Sequence, residues 1–482
     1  MGAIVALLRK DGNDVSDELV ASLTALAHRA DDKFGIASPT NTQFASDPSD
    51  LPGISSNLGL GFCLLRVTNS DVPQPLLGPG YTYALDGRIY GPLAGGAAEV
   101  SKALGEDPSK TVADLVRRFN GDYAFVSAMK TGLVAARDPL GVAPLYYGEN
   151  ERFVGVASER KALWKIGIRR TRSFPPGHMA KLGRTTAFVP VRVLERPRVA
   201  KILVEGATAK LKQLLTEAVA KRVRDVKKVA IGFSGGIDSS LIARVSAELV
   251  DVELVAVGVE GRGIRSAEES AKELDLPLRT RSYSVEDVRE AIPKVLWLIE
   301  EPDLMKLGVA IPFFWSSMMA NQDGCRIMLA GQGSDELYGG YSRYARVYRE
   351  LGAEATERAM FEDLITAHER DYERDNKVSS FNKVEVRFPF TDWRVVNFSL
   401  SLPLGLKITS GEDRVRKRII RKVGGDMGIP ESIVLKPKRA VQYSSGVNWA
   451  IRKVAKRRRL TLVQFIRREF RRVFGSSGAV GI

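Results

Sequence analysis

The chain has 482 residues, of which 44% are hydrophobic and 27% charged, and a formal net charge of +15 at pH 7. That length exceeds one ordinary hydrophobic core and predicts two or three domains. No apolar run approaches the roughly 18 residues of a membrane helix, no export signal is recognisable, and two cysteines and three histidines exclude a disulfide framework and a histidine-based metal site. We therefore expect a cytoplasmic protein without disulfides or a membrane partner.

The first 193 residues alternate short apolar runs with Gly, Pro, Asp and Asn, which is typical of strands and turns. Predicted strands are Ala3–Leu8, Gly61–Val67, Tyr81–Leu85, Tyr123–Met129 and Leu133–Ala136, with helices near Val15–Arg29 and Thr111–Phe119. This pattern predicts an α+β domain dominated by antiparallel sheet over residues 1–193. A linker follows at Leu194–Val204.

Strands and helices alternate beyond the linker. The predicted elements are helix Gly206–Arg224, strand Lys228–Phe233, helix Leu241–Val250, strand Glu253–Val259, helices Ser266–Leu274 and Val285–Leu298, and strand Arg326–Ala330. Such alternation indicates a doubly wound parallel α/β sheet, and helical patterns dominate from Glu336 onward. We assign residues 200–450 to this domain.

A glycine-rich loop, the first loop, follows the predicted strand Lys228–Phe233 and reads Ser234-Gly235-Gly236-Ile237-Asp238-Ser239. Its glycines let backbone N–H groups surround an anion, and the helix that follows attracts negative charge at its N-terminus. Asp238 suits a magnesium ion carried by phosphates. The first loop resembles the pyrophosphate loop of enzymes that split ATP into AMP and pyrophosphate. The alternative is a plain strand-to-helix turn.

A second loop, Gly331–Tyr341, follows another predicted parallel strand and contains Gly-Gln-Gly-Ser-Asp-Glu. Ligands of open α/β sheets bind at the carboxyl ends of the strands, so the two loops are expected to face each other across a nucleotide. Asp335 would then be a second magnesium ligand. The alternative is an ordinary helix start with acidic residues in its first turn.

Much of the positive charge lies near the C-terminus. Between Arg452 and Arg472, ten basic residues stand against one acidic residue, Glu469, so this segment contributes +9 of the net +15. Apolar residues at helical spacing predict an amphipathic helix over Thr461–Phe474, within a tail of residues 451–482. The first interpretation is a docked helix with solvated arginines, and the second is a nucleic-acid contact.

With both loops in view, the chain resembles the asparagine synthetase family along nearly its whole length. The matching blocks are 234–240, 333–341, Glu385–Asp392, Leu400–Pro403 and Lys436–Gly446 in the second half, and Leu133–Gly141, Pro144–Tyr147, Ala157–Leu163 and Pro175–His178 in the first. The first-half blocks are similar to the family's glutaminase domain, which is of the N-terminal-nucleophile class.

The resemblance implies a two-step reaction in which ATP and aspartate form β-aspartyl-AMP and pyrophosphate, and ammonia then displaces AMP. Lys438 would neutralise charge on the α-phosphate, with Lys436 and Arg439 as alternatives if the register differs. ATP and pyrophosphate would be bound by Ser234, Gly235, Gly236, Asp238, Ser239, Ser240, Val257 and Gly331, and magnesium by Asp238 and Asp335. Whether the protein forms a homodimer is left open.

The glutaminase chemistry of the family is missing. Its members begin Met-Cys-Gly-Ile, and that cysteine attacks glutamine, whereas this chain begins Met1-Gly2-Ala3-Ile4. Gly2 has no side chain to form a thioester. The family's Asn-Gly pair at the oxyanion is replaced by Asp86-Gly87, and a carboxylate repels an oxyanion. We predict a degenerate domain that does not hydrolyse glutamine, so that free ammonia is the nitrogen source.

Two residues of the second half also depart from the family. Gln332 stands where the family usually has Glu, and glutamine cannot accept a proton at neutral pH. Proton removal from the attacking amine would then fall to Glu336, another group or water. The acidic residue usual near Ile264 is absent as well. Both departures concern the identity of the substrate more than the use of ATP.

Three functions follow from these residues. The first is an ammonia-dependent asparagine synthetase-like ligase. The second is an AMP-forming amide ligase with another acceptor, as in β-lactam-forming relatives, which also carry a degenerate glutaminase domain. The intact Asp335-Glu336 pair favours the first over the second. The third is a non-catalytic, nucleic-acid-associated protein that binds through residues 452–472, which the intact nucleotide loops disfavour.

Overall fold

The structure is a computed structural model that describes residues 2–30, 32–91, 96–100, 105, 107–413, 415–437 and 441–475, except for the side chains of Glu99, Val441 and Gln442. Contacts between residues separate two units. Unit 1 comprises the residues up to Leu194 and a short stretch from Arg471, and unit 2 is Glu195–Phe470. The described part of the predicted tail 451–482, which ends at residue 475, is therefore divided between the two units.

The described part of unit 1 up to Leu194 contains two antiparallel sheets and four α-helices. The sheet orders are β11-β9-β10-β1-β4-β2-β3 and β13-β12-β8-β7-β6-β5. The strands are β1 Gly2–Arg9, β2 Lys33–Ala37, β3 Thr42–Ala45, β4 Leu58–Leu64, β5 Leu76–Gly78, β6 Tyr81–Tyr90, β7 Asn120–Met129, β8 Gly132–Arg137, β9 Tyr146–Glu149, β10 Phe153–Ala157, β11 Thr171–Ser173, β12 His178–Leu182 and β13 Thr186–Pro190. The helices are α1 Ser16–Leu26, α2 Ala97–Val100, α3 Pro108–Arg118 and α4 Arg160–Lys165.

Alternation along the strands explains how unit 1 is layered. Successive side chains of a strand point to opposite faces. Ile4 and Ala6 of β1 therefore enter the core between the two sheets, with Val126 of the opposite sheet. Val5 and Leu7 instead pack against α1. Because both faces of β1 are covered, its sequence is a continuous apolar run.

Unit 2 contains a five-stranded sheet in the order β16-β15-β14-β17-β18, in which every pair is parallel. The strands are β14 Lys228–Gly232, β15 Asp251–Val259, β16 Leu278–Tyr283, β17 Ile327–Leu329 and β18 Glu385–Arg387. The helices are α5 Val204–Val223, α6 Ile237–Ala247, α7 Ile264–Leu274, α8 Val285–Ile299, α9 Leu304–Gln322, α10 Ser334–Tyr338, α11 Ser342–Ala367, α12 Glu373–Phe381, α13 Trp393–Ser401, α14 Arg418–Asp426, α15 Glu431–Val434, α16 Val441–Ser444, α17 Val447–Arg457 and α18 Leu462–Phe474. The last residues of α18, from Arg471, are assigned to unit 1.

The predicted architecture, antiparallel layers followed by a parallel α/β sheet with a helical C-terminal part, is confirmed. The strands that the pattern did not predict in unit 2 are the two edges, β16 and β18. Strand β16 reads Leu-Arg-Thr-Arg-Ser-Tyr and is mostly exposed, and β18 has only three residues. Edge strands of this kind lack the apolar run that marks a buried parallel strand. Among the described residues, no helix is long and apolar enough to cross a membrane.

Candidate functional site

The first and second loops lie side by side because their strands are neighbours. Ile231 of β14 pairs with Leu329 of the parallel strand β17, so the two loops that follow these strands leave the sheet at the same edge. The hydroxyl of Ser334 donates a hydrogen bond to Asp238 Oδ1 at 2.8 Å. The expected meeting of the two loops is therefore seen in the structure. This edge is where open parallel sheets bind their ligands.

Glycine is required in the first loop. Gly235 has a φ of +68°, and a Cβ on it would lie 2.6 Å from the carbonyl oxygen of Ser266. The next residue, Gly236, is the N-cap of α6. The hydroxyl of Ser239 donates to the Gly236 carbonyl at 3.1 Å and lies 3.3 Å from the hydroxyl of Ser234. Ser240 is buried on the same first turn of α6. The loop thus presents hydroxyls, backbone and a helix N-terminus together, the groups that bind phosphate.

A buried lysine that the sequence did not indicate joins the two loops. Lys417 Nζ lies 2.7 Å from Asp238 Oδ2 and 2.5 Å from Asp335 Oδ1. It also donates to Ser334 Oγ at 3.2 Å. Gly340 leaves room for this group, since a Cβ there would lie 2.4 Å from the lysine Cε. Lys417 lies in the basic run 416–418, a pattern typical of an exposed segment. Its role in the site is seen only from its burial in the structure.

The predicted magnesium ligands point to one position. Asp238 and Asp335 both contact the same ammonium group, so their oxygens already converge on a cation. Two carboxylates suit Mg²⁺, which takes few protein ligands and keeps its contacts to water and substrate phosphates. Among the described residues, no group of three or more metal-binding side chains exists. The donor set therefore fits a magnesium ion that arrives with a nucleotide.

Glu336 lies behind Asp335 in a buried, acidic environment. Its Oε1 accepts a 2.6 Å hydrogen bond from the hydroxyl of Tyr341 and lies 3.4 Å from Arg370 NH2. Burial, together with the charges of Asp371 and Asp335, raises the pKa of Glu336 to about 7. A carboxyl group with this pKa exchanges its proton near neutral pH, as a general base must.

Gln332 is held by a charged pair on α12. Its Nε2 donates to Asp375 Oδ2 at 2.5 Å, and Arg374 Nε donates to Asp375 Oδ1 at 2.7 Å. Burial raises the pKa of Asp375 to about 6. The Asp375 carboxylate fixes the amide group of Gln332, so the carbonyl oxygen of that amide is its remaining polar atom.

Of the residues predicted near the nucleoside and the α-phosphate, the structure describes Gly331, Val257 and the alternative Lys436. Gly331 approaches Asp238 of the first loop closely, since a Cβ there would lie 3.1 Å from Asp238 Cβ. Val257 is half-buried in β15. The predicted Lys438 and the alternative Arg439 lie outside the described residues. Lys436 Nζ donates to Ser270 Oγ at 2.9 Å, and that hydroxyl donates to the Gly235 carbonyl at 3.0 Å.

The two altered glutaminase positions meet in unit 1. The backbone N–H of Gly2 donates to Asp86 Oδ1 at 2.8 Å, and Arg29 Nε donates to the Gly2 carbonyl at 2.9 Å. Asp86 and Arg29 are both buried. A Cβ on Gly2 would lie 1.7 Å from the carbonyl oxygen of Cys63 on β4. The strand pairing thus leaves no room for a side chain at residue 2.

Comparisons with known proteins match a different family model in each of the two units. A family model described as asparagine synthase matches residues 210–354 and 346–472, and one described as glutamine amidotransferase domain matches residues 94–165. The chain is 32% identical to putative asparagine synthetase (glutamine-hydrolyzing) 1 of Methanocaldococcus jannaschii, over 95% of this chain and 96% of the relative. It is 28% identical to asparagine synthetase (glutamine-hydrolyzing) of Sandersonia aurantiaca, over 77% of this chain and 71% of the relative.

Proposed function

Since the chain belongs to the asparagine synthase family, we propose that it is a ligase that adenylates aspartate with ATP and amidates the adenylate with free ammonia. The observation that carries the proposal is the convergence of both glycine-rich loops on Asp238, Asp335 and Lys417. Such a site recognises phosphate groups and a cation, and the family match supplies the class of reaction.

In the first step, a carboxylate oxygen of aspartate attacks the α-phosphorus of ATP, and the bond to pyrophosphate breaks. Ser234, Gly236 and Ser239 bind the leaving pyrophosphate through hydroxyl and backbone groups. Asp238 and Asp335 would hold magnesium, which neutralises phosphate charge when bound. Lys417 and, from the family resemblance, Lys438 add positive charge where negative charge develops.

In the second step, ammonia attacks the acyl carbon, AMP leaves, and the nitrogen loses a proton. Glu336 accepts that proton, since Gln332 cannot accept one and the pKa of Glu336 lies near 7. Gln332, fixed by Asp375, accepts a hydrogen bond from the nucleophile through its amide oxygen. This assignment gives the second loop both a positioning group and a base.

The proposal is tested by measuring pyrophosphate release and product formation from ATP and aspartate with ammonium, with glutamine, and with other carboxylic acids. We expect asparagine with ammonium and none with glutamine. Equal activity with glutamine would contradict the loss of glutaminase function. Turnover with another carboxylic acid but not with aspartate would favour the second candidate, an amide ligase with another acceptor.

The proton acceptor is tested by its pH dependence. Glu336→Gln is expected to slow amide formation by about 10²–10⁴-fold while the pyrophosphate burst without ammonium persists. Wild-type amide formation should rise with pH around an apparent pKa near 7, because the ionised carboxylate is the base. The hydrogen bond from Tyr341 lowers the pKa of Glu336. Tyr341→Phe should therefore shift the acid limb of the pH–rate profile, where the rate rises with pH, to higher pH.

Glu362→Gln is the matched control, since Glu362 is exposed on α11 and should leave the profile unchanged. An unaltered acid limb in both Glu336→Gln and Tyr341→Phe would assign the proton transfer to another group.

Gly2→Cys, alone or with Asp86→Asn, is expected not to create glutamine-dependent amidation. The added Cβ would meet the Cys63 carbonyl at 1.7 Å, so β1 must shift, and the melting temperature should fall. Gly91→Cys is the control, because a Cβ at Gly91 would have no atom of the described residues within 4 Å, and its replacement should leave the melting temperature unchanged. Glutamine hydrolysis by the Gly2→Cys variant would show that the glutaminase site is otherwise intact.

A further inference from the structure

Unit 2 carries a basic surface on α17, the turn after it and α18. We define this basic surface as Arg452, Lys453, Lys456, Arg457, Arg458, Arg459, Arg467 and Arg468, all of which are exposed. The opposite sides of the two helices are buried through Ile451, Val454, Phe465 and Ile466. The helices are therefore docked by their apolar sides, as one interpretation of the sequence predicted, and the basic side chains face solvent.

The charge of this surface is not balanced locally. On other exposed helices, arginines pair with glutamates one turn away, as in Arg265–Glu269 and Arg358–Glu354. None of the eight basic residues forms an ion pair with any residue that the structure describes. Like charges one turn apart, as in Arg452 and Lys456, disfavour a helix. A merely solvated surface gains nothing from this arrangement, whereas a bound polyanion would relieve the repulsion.

From this uncompensated charge we propose that the basic surface binds the phosphate backbone of double-stranded nucleic acid without sequence preference. Six of its eight residues are arginines, whose planar guanidinium groups match phosphate oxygens. Residues four apart on a helix are separated by about 6 Å along its axis. That separation is close to the rise of two phosphates of one strand along the duplex axis, about 7 Å.

The residues around the basic surface favour duplex binding over binding to single-stranded nucleic acid or to a membrane. Trp449 of α17 already contacts Arg262 and Lys453, whose charged groups lie 4.1 and 4.8 Å from its ring centre. A base that stacked on this ring, as in single-strand binding, would have to compete with these two cations. Most apolar side chains of the two helices, among them Ile451, Val454, Phe465 and Ile466, are buried. Val463 alone is a large exposed apolar residue on α18, which is too little apolar surface to insert into a membrane. Contacts to phosphate alone carry no sequence information.

The test uses the full chain and a fluorescent 20-base-pair RNA duplex, with a DNA duplex and a second RNA sequence as further probes. Anisotropy is measured across a potassium chloride series. We expect similar affinity for the three probes and a logarithmic salt slope of about −0.9 for each phosphate contact. The combined replacement of Lys456, Arg457, Arg467 and Arg468 by Gln should weaken binding on the order of 100-fold at 100 mM salt and make the slope shallower by about 3 to 4.

The matched control replaces Lys201, Lys210, Lys272 and Arg346 by Gln, which removes the same charge from other exposed positions of unit 2. Both variants should release pyrophosphate from ATP and aspartate at equal rates, so the outcome does not depend on the proposed catalytic function. Equal loss of affinity in both variants would mean that binding depends on the net charge of the protein and not on the basic surface, and would overturn the proposal. Binding to phosphatidylglycerol vesicles but to no duplex would overturn it in favour of a membrane surface.

Discussion

Replacing Asp238 by Asn is expected to slow pyrophosphate release on the order of 1000-fold, because a carboxylate that holds a metal ion contributes several kcal/mol to transition-state stabilisation. The asparagine side chain keeps an oxygen that can accept the 2.8 Å hydrogen bond from Ser334. It loses the negative charge that faces Lys417 at 2.7 Å. The expected loss is therefore in cation binding more than in the fold of the loop.

The measurement is single-turnover pyrophosphate release at increasing magnesium concentration, with thermal unfolding recorded alongside. Asp251→Asn serves as the control, since Asp251 is exposed at the opposite, amino-terminal end of β15 and should react at the wild-type rate. A wild-type rate in Asp238→Asn would remove Asp238 from the magnesium site.

Lys417→Met is expected to lower the free energy of unfolding by about 3–5 kcal/mol, the usual cost of removing one partner of a buried ion pair. Its ammonium is the cation between Asp238 and Asp335, so the variant leaves two carboxylates facing each other. Magnesium without nucleotide should then raise the melting temperature of the variant more than that of the wild type. Pyrophosphate release should also fall, since positive charge beside the phosphates is lost.

Lys407→Met provides the comparison for Lys417→Met. Lys407 is also buried, and burial lowers its pKa to about 8. It forms no ion pair with a carboxylate in the described part of the chain. Its replacement should therefore change stability little and should not create a response to magnesium. An equal magnesium response in both variants would contradict a cation position between Asp238 and Asp335.

The sequence alone determined the architecture and much of the candidate site, because those features depend on residues close together in the sequence. Apolar runs buried on both faces identified β1 and β14, and the glycines of the two loops identified the strand ends. Alternation of strands and helices then predicted a parallel sheet, which places both loops at one edge. Gly2 and Asp86 stood out only through the resemblance to the asparagine synthetase family, whose members have Cys and Asn at these positions.

Only the tertiary structure decided which distant groups complete the site. Lys417 reaches Asp238 across 179 residues of chain and lies in a basic run with no local feature that separates it from the surface. The bond between Gln332 and Asp375 and the collision that a side chain at residue 2 would meet at Cys63 are equally non-local. A sequence motif indicates the conformation of the backbone within the motif. Whether a charged side chain is buried, and which group it pairs with, depends instead on how elements distant in sequence pack together.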